Sequence, residues 1–166
     1  RVVMSAEEKL RAIKNELHAE LKSLFPDLKL SKDVIWGPTG TALLEVFGGN
    51  PKLMIKDGRD AFENAIKKLS KHTKQATLNK IWNAAKLTCQ HGRRLKLAAV
   101  MEQQIRFQFG LLQRLQQQKH TIEGQMVEIY EELRNVHPEL PTETKGVFTN
   151  RLLARLFAEI GPPTDF

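Results

Sequence analysis

The side chains with the clearest chemical character in this chain are cations. Between Glu63 and Glu102 there is no aspartate or glutamate, yet the interval holds Lys67, Lys68, Lys71, Lys74, Lys80, Lys86, Arg93, Arg94 and Lys96. These are nine of the 26 basic residues; the other 17 are outnumbered by the 19 acids. The net charge of +7 and the pI near 9.6 therefore belong to this one interval. Amines without interspersed carboxylates repel one another unless an anion covers them. Nucleic-acid backbone is the commonest such anion, and a pI above 9 is part of the expected footprint. On one continuous helix Lys67, Lys71 and Lys74 would share a face at i, i+4 and i+7. The candidate backbone contacts are Lys67, Lys68, Lys71, Lys74, Lys80, Arg93, Arg94 and Lys96. The competing reading is a solvated basic surface, or one that meets an acidic protein.

Other chemistries find little support. Trp36 and Trp82 have faces on which a base could stack, but Trp82 beside Ile81 and Ala85 reads more simply as core. His18, His72, His91, His120 and His137 lack partners at metal-ligand spacing. Cys89, the single cysteine, excludes an intramolecular disulfide and a Cys-rich zinc site, and reads as a structural thiol. Ser5, Ser23, Ser31 and Ser70 sit in no activating motif. Gly37-Pro38-Thr39-Gly40 lacks the Gly-Lys-Ser/Thr that would complete a phosphate loop. No catalytic residue, cofactor or metal site is expected in these residues.

The elements that must carry the cations are helical. From Leu95 to Arg134 there is no proline, and steps of four and three pick out Met101, Ile105, Gln108, Leu112, Leu115, Lys119, Ile122, Met126, Ile129 and Leu133. All but Gln108 and Lys119 are apolar, the a/d seam of a coiled coil over more than four heptads. A helix of that length spans roughly 60 Å, at 1.5 Å per residue. The seam needs a long partner, from this chain or another copy. The apolar members are Met101, Ile105, Leu112, Leu115, Ile122, Met126, Ile129 and Leu133, which are the candidate dimerisation residues. Gln108 and Lys119 would cost stability but can fix register. Leu10, Ile13, Leu17, Leu21 and Leu24 form a second seam, with Ser5 to Glu8 at capping-box spacing and Pro26 closing it.

Short helices are expected between these two: a turn at Val34 to Trp36 capped by Asp33, a helix from Thr41 to Phe47 stopped by Gly48-Gly49, and a turn opened by Asn50-Pro51. Next come a helix capped by Asp60 with Phe62, Ile66 and Leu69 inward, and one carrying Leu78, Ile81, Trp82, Ala85 and Cys89. A last helix runs from about Thr149 to Ile160, with Leu152, Leu153, Leu156, Phe157 and Ile160 apolar. No run alternates at period two, so no strand is expected. The fold class is all-α: a long antiparallel coiled-coil arm with an inserted cluster of short helices. Residues 1–28 form the first arm helix, 29–92 the basic cluster, 93–136 the long helix, and 137–166 the start of a C-terminal helical domain. No apolar run reaches the 18 residues of a membrane span. The abrupt Arg1-Val2-Val3-Met4 and Asp165-Phe166 read as cuts in a longer chain.

Several segments resemble one family. Lys14-Asn15-Glu16-Leu17-His18-Ala19-Glu20-Leu21 and Phe25-Pro26-Asp27-Leu28 are similar to the "K-N-x-L-H-x-x-L … F-P-E-L" stretch of DEDD-type (RuvC-like) insertion-sequence transposases, the group with the pilin-gene-inverting recombinases. Trp36-Gly37 with Ala42-Leu43-Leu44 follows in the right order. So does Leu69-Ser70-Lys71-His72 to Ala84-Ala85, then Gly146-Val147-Phe148 to Leu156-Phe157-Ala158-Glu159-Ile160-Gly161. Phe148 stands where the family's "G-I-G" has its second glycine, which makes that turn a poor phosphate cradle.

The resemblance implies a parent transposase that recombines DNA by strand transfer. Its metal-binding acidic domain and its serine nucleophile would lie on either side of the present residues, so divalent metal belongs to the parent and no catalytic residue carries over. For this stretch it implies dimerisation as a homodimer and the holding of DNA, with structured guide RNA as a second ligand, in a bacterial or archaeal cytoplasm. The alternative is a coiled-coil scaffold or protein–protein interaction module unrelated to transposition.

Overall fold

The computed structural model describes residues 2–91, 97–144 and 148–160, with side chains from Ala6 to Glu159. The protein is all-α. Its helices are α1 (Val2–Leu24), α2 (Lys32–Trp36), α3 (Pro38–Phe47), α4 (Pro51–Lys56), α5 (Arg59–Leu69), α6 (Gln75–His91), α7 (Ala98–Val136) and α8 (Asn150–Ile160). Among the described residues no strand forms; Thr144 and Phe148 make one isolated antiparallel bridge. The chain divides into two compact units, one of residues 12–112 and one of residues 1–11 with 113–166.

In the 12–112 unit the core is mostly apolar, with Asn50, Ser70, Thr88 and Gln108 as its buried polar side chains. Leu17, Leu21, Leu24 and Phe25 meet the interior from α1 and its end. Leu43, Leu44 and Phe47 come from α3, Met54 from α4, Phe62 and Ile66 from α5, Leu78 and Ile81 from α6, and Ile105 from α7. Phe62 is stacked between Phe47 and Trp82, at centroid distances of 5.7 and 5.5 Å. Two glycines permit the closest approaches. A Cβ on Gly40 would fall 1.9 Å from the Ile35 carbonyl oxygen, so α2 and α3 can pack only over a bare backbone. Gly49, at φ +69°, sits where a Cβ would come within 2.5 Å of Leu21 Cδ1.

The end of α3 is finished by side chains from far along the chain. Gly48 adopts the left-handed conformation and its N–H bonds the Leu44 carbonyl, the expected helix stop. Arg106 of α7 donates to the Glu45 and Val46 carbonyls at 2.9 and 3.0 Å. Glu102 accepts from Arg106 Nε at 2.9 Å through one oxygen and from Asn50 Nδ2 at 2.9 Å through the other. Asn50 in turn caps α4 by accepting the Lys52 N–H, ahead of Pro51.

The unit of residues 1–11 and 113–166 contains the start of α1, the second half of α7, and α8. Tyr130, Leu153 and Ala154 form its buried cluster, with Met126, Val127 and Phe157 packed on it. Tyr130 meets Phe157 edge-on at 5.6 Å and donates its hydroxyl to the Pro141 carbonyl at 2.8 Å. Charges do the rest. Glu123, 3% exposed in its side chain, is paired with Arg151 and lies 3.8 Å from Lys119 and 3.9 Å from Arg155. Glu7 accepts from Lys119 at 2.8 Å and from Arg155 at 3.1 Å. The Lys119 hydrogen bond is the main reason the Glu7 carboxyl titrates below its ordinary value.

Several local expectations are corrected. Ser5 lies inside α1, which is already helical at Val2, so Ser5–Glu8 is not its cap. The residue at the N-cap of α2 is Ser31, and Asp33 belongs to the first turn. Gly58, at φ +86°, precedes α5, and Asp60 acts from the first turn, where a carboxylate suits the helix dipole. Leu69 ends α5 at 49% exposure, since the helix stops before its next turn could cover it. Leu152 and Leu156 of α8 are also exposed, on the side away from Leu153 and Ala154. Thr149 opens α8 by accepting the Leu152 N–H.

Candidate nucleic-acid interface

The helix expected to align Lys67, Lys71 and Lys74 is interrupted. Ser70 closes α5 with its N–H on the Ile66 carbonyl. Thr73 then ties the turn by bonding the Ser70 carbonyl and hydroxyl, at 3.0 and 2.8 Å, and contacts Thr39 Oγ1 at 2.9 Å. Serine and threonine hydroxyls offer the backbone this alternative to continuing a helix. Lys71 therefore lies in the turn, and Lys74 supplies the carbonyl that starts α6 by accepting from Thr77 and Leu78.

Lys67 is engaged. Glu63 accepts from Arg59 Nε at 2.8 Å, from Gln75 Nε2 at 2.8 Å and from Lys67 Nζ at 3.4 Å. Lys67 also reaches Gln75 Oε1 at 3.2 Å, and Arg59 bonds Asn79. The Arg59 and Gln75 hydrogen bonds hold the Glu63 carboxyl down at about 2. The acid at the border of the acid-free interval thus neutralises the first lysine in it. By contrast Lys68, Lys71, Lys74, Lys80 and Lys86 are exposed and make no ion pair within the described residues. Arg93, Arg94 and Lys96 lie outside the described residues.

The geometry adds residues that the sequence did not single out. The segment 27–30 runs beside α6, and between them lies a groove of about 500 Å³ lined by Asp27, Leu28, Lys29, Leu30, Lys80, Asn83, Ala84 and Leu87. Asp27 is occupied there: it accepts the Thr88 hydroxyl at 2.8 Å and lies 3.9 Å from His91 Nδ1. Lys29 was hidden in the sequence by Asp27 and Asp33 on either side of it. A second cationic patch surrounds Trp36, with Lys14 Nζ 5.7 Å above its ring and His18 6.5 Å away. Burial first, then Lys22 and Lys32, lowers the His18 pKa below its ordinary value. Trp82 is partly covered by Phe62, and burial raises the Cys89 thiol above its ordinary value, away from reactivity.

The seam residues fall into two sets. Ile105 and Leu112 are buried in the 12–112 unit, Met101 half-buried. In the other unit Leu115, Ile122 and Met126 are half-buried, while Ile129 is 57% and Leu133 36% exposed. Both polar seam positions meet α1: Gln108 donates to Glu20 at 3.0 Å, and Lys119 to Glu7. Gly146 falls outside the described residues, and Phe148 is exposed.

Among the described residues no three His, Cys, Asp or Glu side chains are grouped to hold a metal ion. No helix among them is long and apolar enough to cross a membrane. Compared with models of known families, with curated proteins and with solved structures, the chain matches none.

Proposed function

We propose that this chain is a non-catalytic helical portion of a DEDD-type transposase that binds nucleic acid through α5, α6 and the turn between them, and dimerises through α7. The observation that carries the nucleic-acid reading is the set Lys68, Lys71, Lys74, Lys80 and Lys86, exposed amines with no ion pair among the described residues. Backbone phosphate is the polyanion that such a surface suits, and contacts of this kind position a strand without reading its sequence. DNA and structured guide RNA are the ligands, and the compartment is a bacterial or archaeal cytoplasm. The resemblance in order of the Lys14–Leu28, Trp36–Leu44 and Leu69–Ala85 segments supports the transposase assignment.

The coiled-coil arm belongs to the same proposal. Within each unit a polar seam position of α7 meets α1, Gln108 to Glu20 in one and Lys119 to Glu7 in the other, which supports α1 as the partner of the seam. Ile105 and Leu112 are then used within the chain, and the homodimer contact falls to Ile129 and Leu133, the exposed end of the seam.

The test is binding to duplex DNA and to structured RNA across a salt series, beside a variant with Lys68, Lys71, Lys74 and Lys80 changed to Glu. Binding that falls steeply with salt and is lost in the variant is the expected result; for duplex DNA the log–log slope is about 0.9 per phosphate contacted. A folded protein that binds neither at low salt overturns it. One observation favours a second reading, a scaffold for a protein partner: Ile129, Val136, Leu152 and Leu156 leave apolar surface uncovered. A complex with a different protein that forms without nucleic acid and is lost when Leu152 and Leu156, but not Ile129 and Leu133, become Ser would support it.

A further inference from the structure

The groove between residues 27–30 and α6 has a composition that a plain phosphate-binding surface does not need. Lys80, Asn83, Ala84 and Leu87 follow one another at i, i+3, i+4 and i+7, so they form one stripe along α6. Across from them stand Leu28 and Lys29. With Asp27 and Leu30, which also line it, four of the lining side chains are apolar, two are amines, one is an amide and one is a carboxylate. Leu87 remains 42% exposed, although α6 has buried positions on its other side to receive a leucine. At about 500 Å³ the groove lies in the ~300–1,000 Å³ range of clefts that hold small organic groups.

Building on the nucleic-acid reading above, we infer that this groove receives one unpaired base of a single-stranded segment, with its flanking phosphates on Lys29 and Lys80. Charge complementarity selects this occupant. An apolar slot alone would suit a leucine from a partner protein, but this slot is bordered by amines on both walls, Lys29 on one and Lys80 on the other. Asp27 also lines the groove; its carboxylate accepts the Thr88 hydroxyl and keeps its charge, so Lys29 and Lys80 must outweigh it where a phosphate sits. Asn83 supplies both a donor and an acceptor, which suits the polar edge of a base whose faces rest on Leu28, Ala84 and Leu87. A duplex offers no such base, so the groove discriminates strandedness while the lysines do not.

The experiment measures affinity for a single-stranded DNA, a single-stranded RNA of the same sequence, and the DNA duplex, for the wild type and three variants. Leu87→Ser removes an apolar wall and Ala84→Met fills the floor, neither changing charge. Lys80→Gln removes a cation. Leu87→Ser and Ala84→Met should each weaken single-strand binding about tenfold, the scale of one base lost from its stack, and leave duplex binding within about twofold. Lys80→Gln should weaken all three ligands. A preference between the RNA and DNA arms identifies which strand supplies the base. A 5-iodouracil photocrosslink on the wild type should map to the peptide containing Asn83 and Leu87. Equal loss of single-strand and duplex binding in Leu87→Ser and Ala84→Met, no loss, or a crosslink elsewhere overturns the groove while the lysine surface stands. Failure of the wild type to bind any of the three overturns both.

Discussion

Residues 12–112 and the unit made by 1–11 and 113–166 bury different chemistry. In the first, Phe25, Phe62, Met54, Leu43 and Ile81 lie at 1% exposure or less, and the buried polar side chains, Asn50, Ser70, Thr88 and Gln108, are neutral. In the second, the apolar cluster is Tyr130, Leu153 and Ala154, and a carboxylate, Glu123, is as deeply buried as any of them. Apolar burial is insensitive to salt and gains about 25 cal/mol per Å². A buried carboxylate gains only if its cations stay in place, because losing them leaves the desolvation cost uncompensated. The two units should therefore respond to different perturbations.

The largest effect should come from the apolar side. Phe62→Ala removes the ring between Phe47 and Trp82 and should cost about 3–5 kcal/mol. Chemical denaturation would measure it, and the exchange of amides in α8 should change far less than in α3 and α5. Next is Glu123→Ala. Its partners Arg151 and Arg155 are one-third to one-half exposed, so solvent screens the pairs, and the expected cost is about 1–3 kcal/mol. Hydrogen exchange should quicken in α8 first. Raising salt should mimic this in wild type and leave α3 protected; equal responses in both regions would erase the contrast.

Tyr130→Phe should cost about 1 kcal/mol, the loss of one neutral hydrogen bond to the Pro141 carbonyl. The last prediction concerns acidity. Burial, chiefly, raises the Glu20 carboxyl above its ordinary 4.5, with Glu16 adding to the rise, while Gln104 and Gln108 pull it down. The folded state thus disfavours the ionised form. Wild type should lose stability as pH climbs from 4.5 through the raised folded value, and Glu20→Gln should be the more stable protein at pH 7 but not below pH 4.5. Melting temperature against pH would show it. Glu63 should act with the opposite sign: its contribution is present above 4.5 and lost as pH falls toward about 2.

The all-α class was legible because helical spacing and helix stops agree along the chain. Phe62 and Ile66 face inward as their spacing requires, and Gly48, Asn50 and Pro51 do what their residue types predict. The misreadings share a cause. Lys67, Lys71 and Lys74 have perfect helical intervals, but Ser70 and Thr73 offer hydroxyls that end the helix between them. Lys67 is silenced by Glu63, an acid one turn away that a count starting after Glu63 leaves out. Lys29 and Asn83 are 54 residues apart, and no local pattern shows that they border one groove. The polar seam positions were visible as exceptions, but their partners Glu20 and Glu7 become apparent only once α1 lies against α7 within each unit.

The guanidinium that finishes α3 has a consequence for synthesis. Glu45 and Val46 emerge from the ribosome some 60 residues before Arg106, the side chain that satisfies their carbonyls, and Asn50 emerges 52 before Glu102. Until α7 is made, α3 and α4 end in groups that only water can serve, and Gly49 has no Ile105 to pack beside. A nascent chain stalled before Glu102 should remain open to protease around Gly48, and one stalled well after Leu112 should be resistant there. The residues of α3 and α4 are in this sense a fold held pending, completed by a clasp that is translated some 50 to 60 residues later.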